Sequence, residues 1–253
     1  MLEPTRADRA GNGAAGRPTY GEILQLDTLL DLRQRLSGQH DELFFLIAHQ
    51  VYELWFKVIL SELEHARDRM LDRDVPGALY GLRRVVAVER VMVAQVETLE
   101  TISPGSFAEF RDVFQGTSGF QSAQFREIEF LSGLKDPTYL DRVTVTAAER
   151  DRLRRRLAEP TLWDAFQQLV GPDWPAGLPD LLRTQRHTGE IVLAEALLDH
   201  DEGFSLWRTR HVHMVERMIG RKPGTGGSSG VSYLTATLEK RFFPELWQAR
   251  SAV

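Results

Sequence analysis

Two histidines lie in the middle of apolar helical stripes, which makes them candidates for chemistry in a water-poor pocket. His49 belongs to a set of residues that recur every three or four positions and so share one helix face, namely Phe45, His49, Tyr52, Phe56, Ile59 and Leu63. His211 has the same place in a second stripe, which comprises Phe204, Trp207, His211, Met214, Val215 and Met218. His213 lies about 200° further round that helix and is predicted to face away. Two inward imidazoles can bracket a planar cofactor, one as iron ligand and one on the open face.

Other kinds of site are less favoured, although one plain alternative stays open. Buried histidines often have only a structural role, so the spacing is also compatible with two satisfied core histidines. The sequence contains no H-E-x-x-H zinc motif. It also contains no cysteine, which excludes disulfides, thiolate metal sites and covalent c-type haem attachment.

Two further features would suit a polar substrate beside such a pocket. Arg111 lies among aromatic residues in the segment FRDVF, where a guanidinium can clamp a carboxylate through two hydrogen bonds, although a packed surface arginine is the commoner case. The loop GTGGSSG, residues 224–230, follows the His211 helix and offers backbone N–H groups and hydroxyls. We expect this loop to act as a lid over bound substrate, with a plain flexible linker as the alternative.

Composition predicts an ordinary globular protein without a nucleic-acid partner. Of the 253 residues, 42% are hydrophobic and 26% are charged, and the formal net charge is -5. This charge does not favour nucleic acid or an anionic membrane as a partner. We expect no membrane span, because no apolar run approaches roughly 20 residues, and no apolar signal core is apparent. The predicted location is therefore the cytoplasm.

Nearly every segment has helical periodicity, which predicts an all-α fold. We expect a disordered tail over residues 1–18 and a single helical domain over 19–253. A T-x-x-E capping box at Thr19 predicts a helix from Tyr20 that turns Ile23, Leu24, Leu26, Leu29 and Leu30 inward. The other predicted helices cover residues 41–71, 78–102, 107–114, 121–134, 147–158, 160–170, 178–198, 204–219 and 231–241. The long helices predict an antiparallel bundle around the pocket.

Four motifs together resemble the tryptophan 2,3-dioxygenase family. They are HQVYELWFK at 49–57, FRDV with SGFQS at 110–122, RHVHMVERMIG at 210–220 and GTGGSSG at 224–230, and the similarity extends over about residues 20–247. The resemblance implies an all-α homotetramer with one non-covalent haem b per subunit, ferrous in the active form. It implies an oxidoreductase that inserts both atoms of O2 across the indole C2–C3 bond of L-tryptophan, giving N-formylkynurenine.

The resemblance also implies a role for each matching residue. His211 would be the axial ligand of the haem iron, and Ser118 would lie near the haem edge. His49 would face the indole N–H, and Phe45 would pack on the indole. Arg111 would hold the substrate carboxylate and Thr225 the polar end of the amino acid. Tyr20, on the N-terminal helix, would complete the pocket of a neighbouring subunit.

Three departures from the family pattern bear on the substrate. Ile23 and Val51 stand where members often have Tyr and Thr, and Phe107 stands where many bacterial members have Tyr. The first two changes are expected to make the pocket more apolar. They leave open a related haem monooxygenase that acts on a substituted, for example alkylated, tryptophan. A helical haem carrier or sensor is a third alternative, which Arg111 and the glycine-rich loop disfavour.

Overall fold

The computed structural model describes residues 17–32, 35–117, 119–171, 177–179, 188–225 and 229–252. Within these ranges the chain forms helices and no strands, which confirms the all-α prediction. The chain divides into two compact units, Met1–Arg35 and Leu36–Val253. Most of the tail expected over 1–18 lies outside the described residues, and the single domain over 19–253 stays a prediction.

The first unit holds two short helices, α1 (Tyr20–Leu24) and α2 (Leu26–Asp31). The predicted capping box is present, since the Thr19 hydroxyl accepts a hydrogen bond from the Glu22 N–H at 3.3 Å. The predicted single helix is wrong, because Gln25 adopts a φ of 52° and interrupts it. The inward orientation is also wrong. Neither helix has a buried residue, because two such short helices have no apolar partner among the described residues of their unit.

The core of the second unit is an antiparallel pair of long helices, α3 (His40–Leu71) and α4 (Val75–Leu99). Asp74 caps α4 by accepting a hydrogen bond from the Gly77 N–H, so this helix begins and ends three residues earlier than predicted. The two helices are antiparallel because only residues 72–74 connect them, and Tyr52 of α3 donates a hydrogen bond to the Met92 carbonyl oxygen of α4. The α3 stripe is confirmed from Tyr52 onwards, where its apolar residues are buried.

By length and composition, α3 is one helix that could cross a membrane, contrary to our expectation that no run was long enough. Its most apolar stretch has a mean hydropathy of 1.5, and 28% of that stretch is buried inside the unit. The core helix of a globular protein satisfies the same criterion. Here α3 packs against α4 and further helices of its unit, so part of its apolar surface is buried in the core.

Shorter helices connect this pair to a third long helix. The connecting helices are α5 (Pro104–Phe110), α6 (Ala123–Ser132), α7 (Tyr139–Arg142), α8 (Ala147–Ala158) and α9 (Leu162–Val170). The third long helix is α10 (Gly189–Ile219), and the short helices α11 (Val231–Thr235) and α12 (Pro244–Ala249) follow it. Short 3₁₀ turns cover Arg111–Phe114, Gly119–Gln121 and Arg250–Ala252. The helix predicted over 231–241 is therefore confined to the five residues of α11.

The third long helix, α10, is continuous where two helices were predicted. It passes through Gly203, where a Cβ atom would lie only 2.6 Å from a carboxylate oxygen of Glu89 on α4. The glycine thus permits close helix packing and does not end the helix. Glu89 contacts His200, and Glu100, just after the end of α4, forms an ion pair with Arg210. Since residue numbers rise together on the two helices, α10 is parallel to α4 and therefore antiparallel to α3.

A buried polar network joins α4, α6 and α10. The His200 imidazole lies between a Glu89 carboxylate oxygen at 2.7 Å from Nδ1 and the Ser132 hydroxyl at 2.9 Å from Nε2. All three side chains are fully buried. Burial raises the pKa of the Glu89 carboxyl, and the neighbouring His200 opposes this shift.

This network yields a stability prediction. The His200→Leu substitution should lower the free energy of unfolding by about 3 kcal/mol or more, because it leaves the Glu89 carboxyl buried without its partner. Urea denaturation followed by circular dichroism measures the change. The matched control is His213→Leu on the same helix, where the exposed imidazole should contribute no more than about 0.5 kcal/mol. Equal losses in the two variants would contradict a stabilising role for the network.

Candidate functional site

A cavity of about 540 Å³ lies between α3 and α10. Aromatic and aliphatic side chains make up most of its walls, together with a few charged groups. His49 and His211 both line it, each half-buried, because antiparallel α3 and α10 bring the two stripes face to face. A cavity of this size and character is typical of a cofactor or small-molecule site, for which volumes of about 300–1,000 Å³ are usual.

The orientation of His49 follows from its own helix. Its Nδ1 lies 2.7 Å from the carbonyl oxygen of Phe45, one turn earlier. A carbonyl oxygen only accepts hydrogen bonds, so Nδ1 carries the proton and Nε2 is left as an acceptor. Burial lowers the pKa of His49, while the Phe45 carbonyl and the charge of Glu53 act in the opposite direction. The imidazole is therefore a neutral acceptor at neutral pH.

His211 presents a second neutral imidazole to the same cavity. Burial lowers its pKa to about 4, and His49 contributes to the shift. Its ring stacks on Trp207, one turn earlier, with ring centroids 5.4 Å apart and an angle of 13° between the planes. Among the described residues its nitrogens have no hydrogen-bond partner, and no group of three or more acidic, histidine or cysteine side chains is arranged around a metal. His213 is exposed, as predicted.

An aromatic wall closes one side of the cavity next to His49. The Phe45 ring lies 4.2 Å from the His49 ring, measured between centroids. It also contacts Phe107 at 5.5 Å and Phe114 at 5.2 Å, and all three phenylalanines line the cavity. The wall offers an apolar surface of tilted rings, which suits an aromatic ligand because tilted and edge-to-face ring contacts are favourable.

The segment after α5 and the loop after α10 meet at the edge of this wall. Arg111 lines the cavity and donates a hydrogen bond to the Pro223 carbonyl oxygen at 3.1 Å. The Thr225 hydroxyl donates to the Thr117 carbonyl oxygen at 2.8 Å, and the Thr225 carbonyl accepts from the Gly116 N–H at 2.8 Å. These contacts bring Arg111 and Thr225 to one side of the cavity. Residues 226–228 of the predicted lid lie outside the described residues, so closure stays a prediction.

The cavity also has a cationic part, formed by Arg126 of α6 and Arg208 of α10. Both guanidinium groups bind the carboxylate of Glu129, and the Arg208 contact measures 2.7 Å. The three side chains are almost completely buried. Burial lowers the pKa of Arg208, and Glu129 opposes this shift. Two buried cations that share one carboxylate are suited to an anionic group of a ligand.

The structure brings five predicted site residues together around one cavity, namely Phe45, His49, Arg111, His211 and Thr225. Tyr20 belongs to the first unit, where it is 75% exposed. Ser118 lies outside the described residues. Val51 is half-buried but is not a wall residue of the cavity, so its expected effect on pocket polarity finds no support.

The wall residues that sequence reasoning missed include Phe114, Arg126 and Arg208. A signal for both arginines was present in the helical spacing. Arg126 lies four positions before buried Phe130, and Arg208 lies four positions after buried Phe204. A charged residue on an apolar helix face indicates a buried charge that needs a partner or a ligand.

The known proteins that the chain resembles share one family name. The sequence model of one family, described as tryptophan 2,3-dioxygenase, matches residues 6–168 and 182–253. A protein of that name from Nocardioides sp. (strain ATCC BAA-499 / JS614) is 50% identical over 250 residues, covering 92% of this chain and 94% of the relative. A protein of the same name from Herpetosiphon aurantiacus is 43% identical and covers 92% of this chain and 97% of the relative. Another from Anaeromyxobacter dehalogenans is 41% identical and covers 93% of this chain and 96% of the relative.

Proposed function

The chain belongs to the tryptophan 2,3-dioxygenase family, and from this premise we propose that the cavity between His49 and His211 is its active site. The chain is an oxidoreductase that cleaves the indole C2–C3 bond of L-tryptophan with O2, giving N-formylkynurenine. The observation that carries the assignment is the pairing of two neutral imidazoles across one apolar cavity. The relatives described above give no support to the alternative of a monooxygenase for substituted tryptophans.

The residues around the cavity fit a haem b group. His211 offers an imidazole without a hydrogen-bond partner among the described side chains, and it is the residue proposed to ligate the iron. Arg208 has a buried Nε that likewise lacks a partner in the described part of the chain. The cations Arg126 and Arg208 would hold the two carboxylates that haem carries, and the apolar walls would contain its ring. When bound, haem supplies the oxygen chemistry that protein side chains lack.

The proposed substrate contacts involve the aromatic wall, His49, Arg111 and Thr225. The indole would pack against the aromatic wall of Phe45, Phe107 and Phe114. The His49 Nε2 would accept a hydrogen bond from the indole N–H, because Nδ1 is already engaged. Arg111 would exchange its contact with the Pro223 carbonyl for the substrate carboxylate, and Thr225 would bind the polar end of the amino acid. These contacts orient the indole and exclude water from it.

His49 is proposed to orient the substrate and not to act as an essential base. His49→Ala should therefore lower kcat/KM for L-tryptophan by about tenfold or less, the usual contribution of one neutral hydrogen bond. Steady-state oxidation of L-tryptophan measures this change. The matched substrate is 1-methyltryptophan, which lacks the indole N–H and should be oxidised equally well by both proteins. Complete loss of turnover in a folded, haem-loaded variant would mean that His49 is required for catalysis itself.

We also propose a cytoplasmic homotetramer in which α1 and α2, including Tyr20, complete the pocket of a neighbouring subunit. The supporting observation is apolar surface that no described residue covers. Tyr20, Ile23 and Leu30 are 75%, 64% and 74% exposed. Phe44, Ile47 and Leu54 on α3 are also exposed. Light scattering tests the assembly, and a monomer that is fully active would contradict the proposed exchange of helices.

The experiment that tests the proposed function uses the full chain loaded with haem and reduced. Incubated with L-tryptophan and O2, it should form N-formylkynurenine, identified by chromatography and mass. A product that carries one added oxygen would indicate the monooxygenase alternative. Haem binding without any consumption of L-tryptophan would indicate a carrier or sensor.

A further inference from the structure

A second, smaller cavity of about 120 Å³ lies beside the cationic part of the main one. Its walls come from α6, α7 and the segment from α11 to residue 240. Four residues line both cavities: Arg126, Glu129, Tyr233 and Thr237. The small cavity is therefore separated from the main one by side chains that face both spaces.

The charges around the small cavity are unequal. Three cations line it, Arg126, Arg142 and Lys240, against two carboxylates, Glu129 and Asp136. Both carboxylates are already engaged, because Glu129 binds Arg126 and Arg208, while Asp136 accepts hydrogen bonds from Arg142 and the Thr138 hydroxyl. Because the two carboxylates pair with Arg126 and Arg142, Lys240 is the third cation, and the cavity has one positive charge more than it has carboxylates.

Lys240 is the cation that this arrangement leaves available. Lys240 is half-buried as a residue, and its ammonium group has no ion pair or hydrogen bond with any described residue. Removing part of the hydration of an ammonium group has a cost unless an acceptor replaces the lost water. The cavity beside Lys240 is where such an acceptor would lie.

A second donor group of the small cavity, the Arg126 guanidinium, is held by aromatic neighbours. The Arg126 guanidinium is 6% exposed and lies over the Tyr139 ring at 4.5 Å from the ring centroid. It also donates a hydrogen bond to the Tyr233 hydroxyl at 3.3 Å. A fixed guanidinium loses little conformational entropy when it binds an oxyanion, which favours binding.

We infer that this small cavity is a binding site for a small inorganic oxyanion of the phosphate or sulfate class, held between Lys240 and Arg126. The volume favours such an ion, since organic ligands usually need at least about 300 Å³. The site shares Arg126 with the proposed haem site but has Lys240 as a cation of its own, and the inference does not depend on the dioxygenase activity. Because Arg126 lines both cavities, oxyanion binding and cofactor binding should influence each other reciprocally.

The test measures phosphate binding to the full chain, both haem-loaded and haem-free. Inorganic phosphate is titrated by calorimetry at constant ionic strength, with chloride as the reference anion. Saturable binding of one phosphate per chain is expected in both forms. Lys240→Met should weaken it about tenfold or more, the effect of losing a charge-assisted hydrogen bond. The matched control is Lys57→Met, on the exposed surface of α3 and away from both cavities, which should bind phosphate like the parent.

Three results would overturn the inference. Phosphate that does not bind saturably would show that the cavity holds only water. Equal weakening in Lys240→Met and Lys57→Met would show a general charge effect. Binding to the haem-free chain that haem abolishes completely would make the cavity a part of the cofactor site, filled by a haem carboxylate.

Discussion

Replacing His211 by alanine is expected to abolish stable haem binding and, with it, turnover of L-tryptophan. His211 is the residue of α10 that presents an imidazole to the cavity, and no hydrogen bond to a described residue competes for its nitrogens. Loss of groups that only support a metal ligand costs about 10–100-fold in affinity or activity, so loss of the ligand should cost more. Haem titration followed by the Soret absorption measures the effect.

Two comparisons separate ligation from folding in the His211 experiment. His213→Ala changes the neighbouring histidine on the exposed face of the same helix and should leave the Soret spectrum unchanged. His211→Gly should regain haem absorption when free imidazole is added, because the small ligand can occupy the vacated space. An unaltered spectrum and affinity in His211→Ala would remove His211 from the site and direct attention to His49.

Arg111→Leu is expected to raise KM for L-tryptophan steeply. The guanidinium lies at the cavity edge near Thr225, and its present acceptor is only a backbone carbonyl oxygen. A desolvated charge pair with the substrate carboxylate would be worth about 2–5 kcal/mol, which corresponds to a loss of roughly 30- to 5,000-fold in kcat/KM. Arg111→Lys should recover only part of this loss, because an ammonium group cannot form the two parallel hydrogen bonds.

Tryptamine provides the internal control for Arg111. It has the indole ring and amine of tryptophan but no carboxylate, so the leucine substitution should leave its oxidation nearly unchanged. Arg154→Leu, on the exposed face of α8, controls for the loss of a surface charge. Equal losses for tryptophan and tryptamine in Arg111→Leu would show that Arg111 has a structural role.

The long helices and the two histidines could be predicted because their signals are local. The stripes that contain His49 and His211 follow helical spacing, and the facing of the two residues needs only one antiparallel pairing of α3 with α10. The exposed position of His213 follows from the same spacing. The helix predicted over 147–158 is confirmed as α8, where Thr146 and Glu149, only three positions apart, form a capping box.

Other features depend on partners distant in the sequence and were therefore missed. Two helices, 178–198 and 204–219, were predicted where α10 is continuous, and close approach to Glu89 of α4 explains why Gly203 lies inside it. The pairing of Arg126 and Arg208 with Glu129 could not be predicted, because it depends on how α6 packs against α10. The apolar side chains of α1 and α2 were expected to turn inward. Their exposure shows that periodicity predicts an apolar face but does not identify what covers it.

The central claim is that the cavity between His49 and His211 supports insertion of both atoms of O2 into one tryptophan molecule. In the most direct measurement, the haem-loaded, reduced chain is incubated with L-tryptophan and a mixture of ¹⁶O2 and ¹⁸O2. The mass of the freshly formed product is then determined. The account predicts products that carry either two ¹⁶O or two ¹⁸O atoms, because both atoms come from the same O2 molecule. A product with one added oxygen, or with one atom of each isotope as the main species, would contradict it.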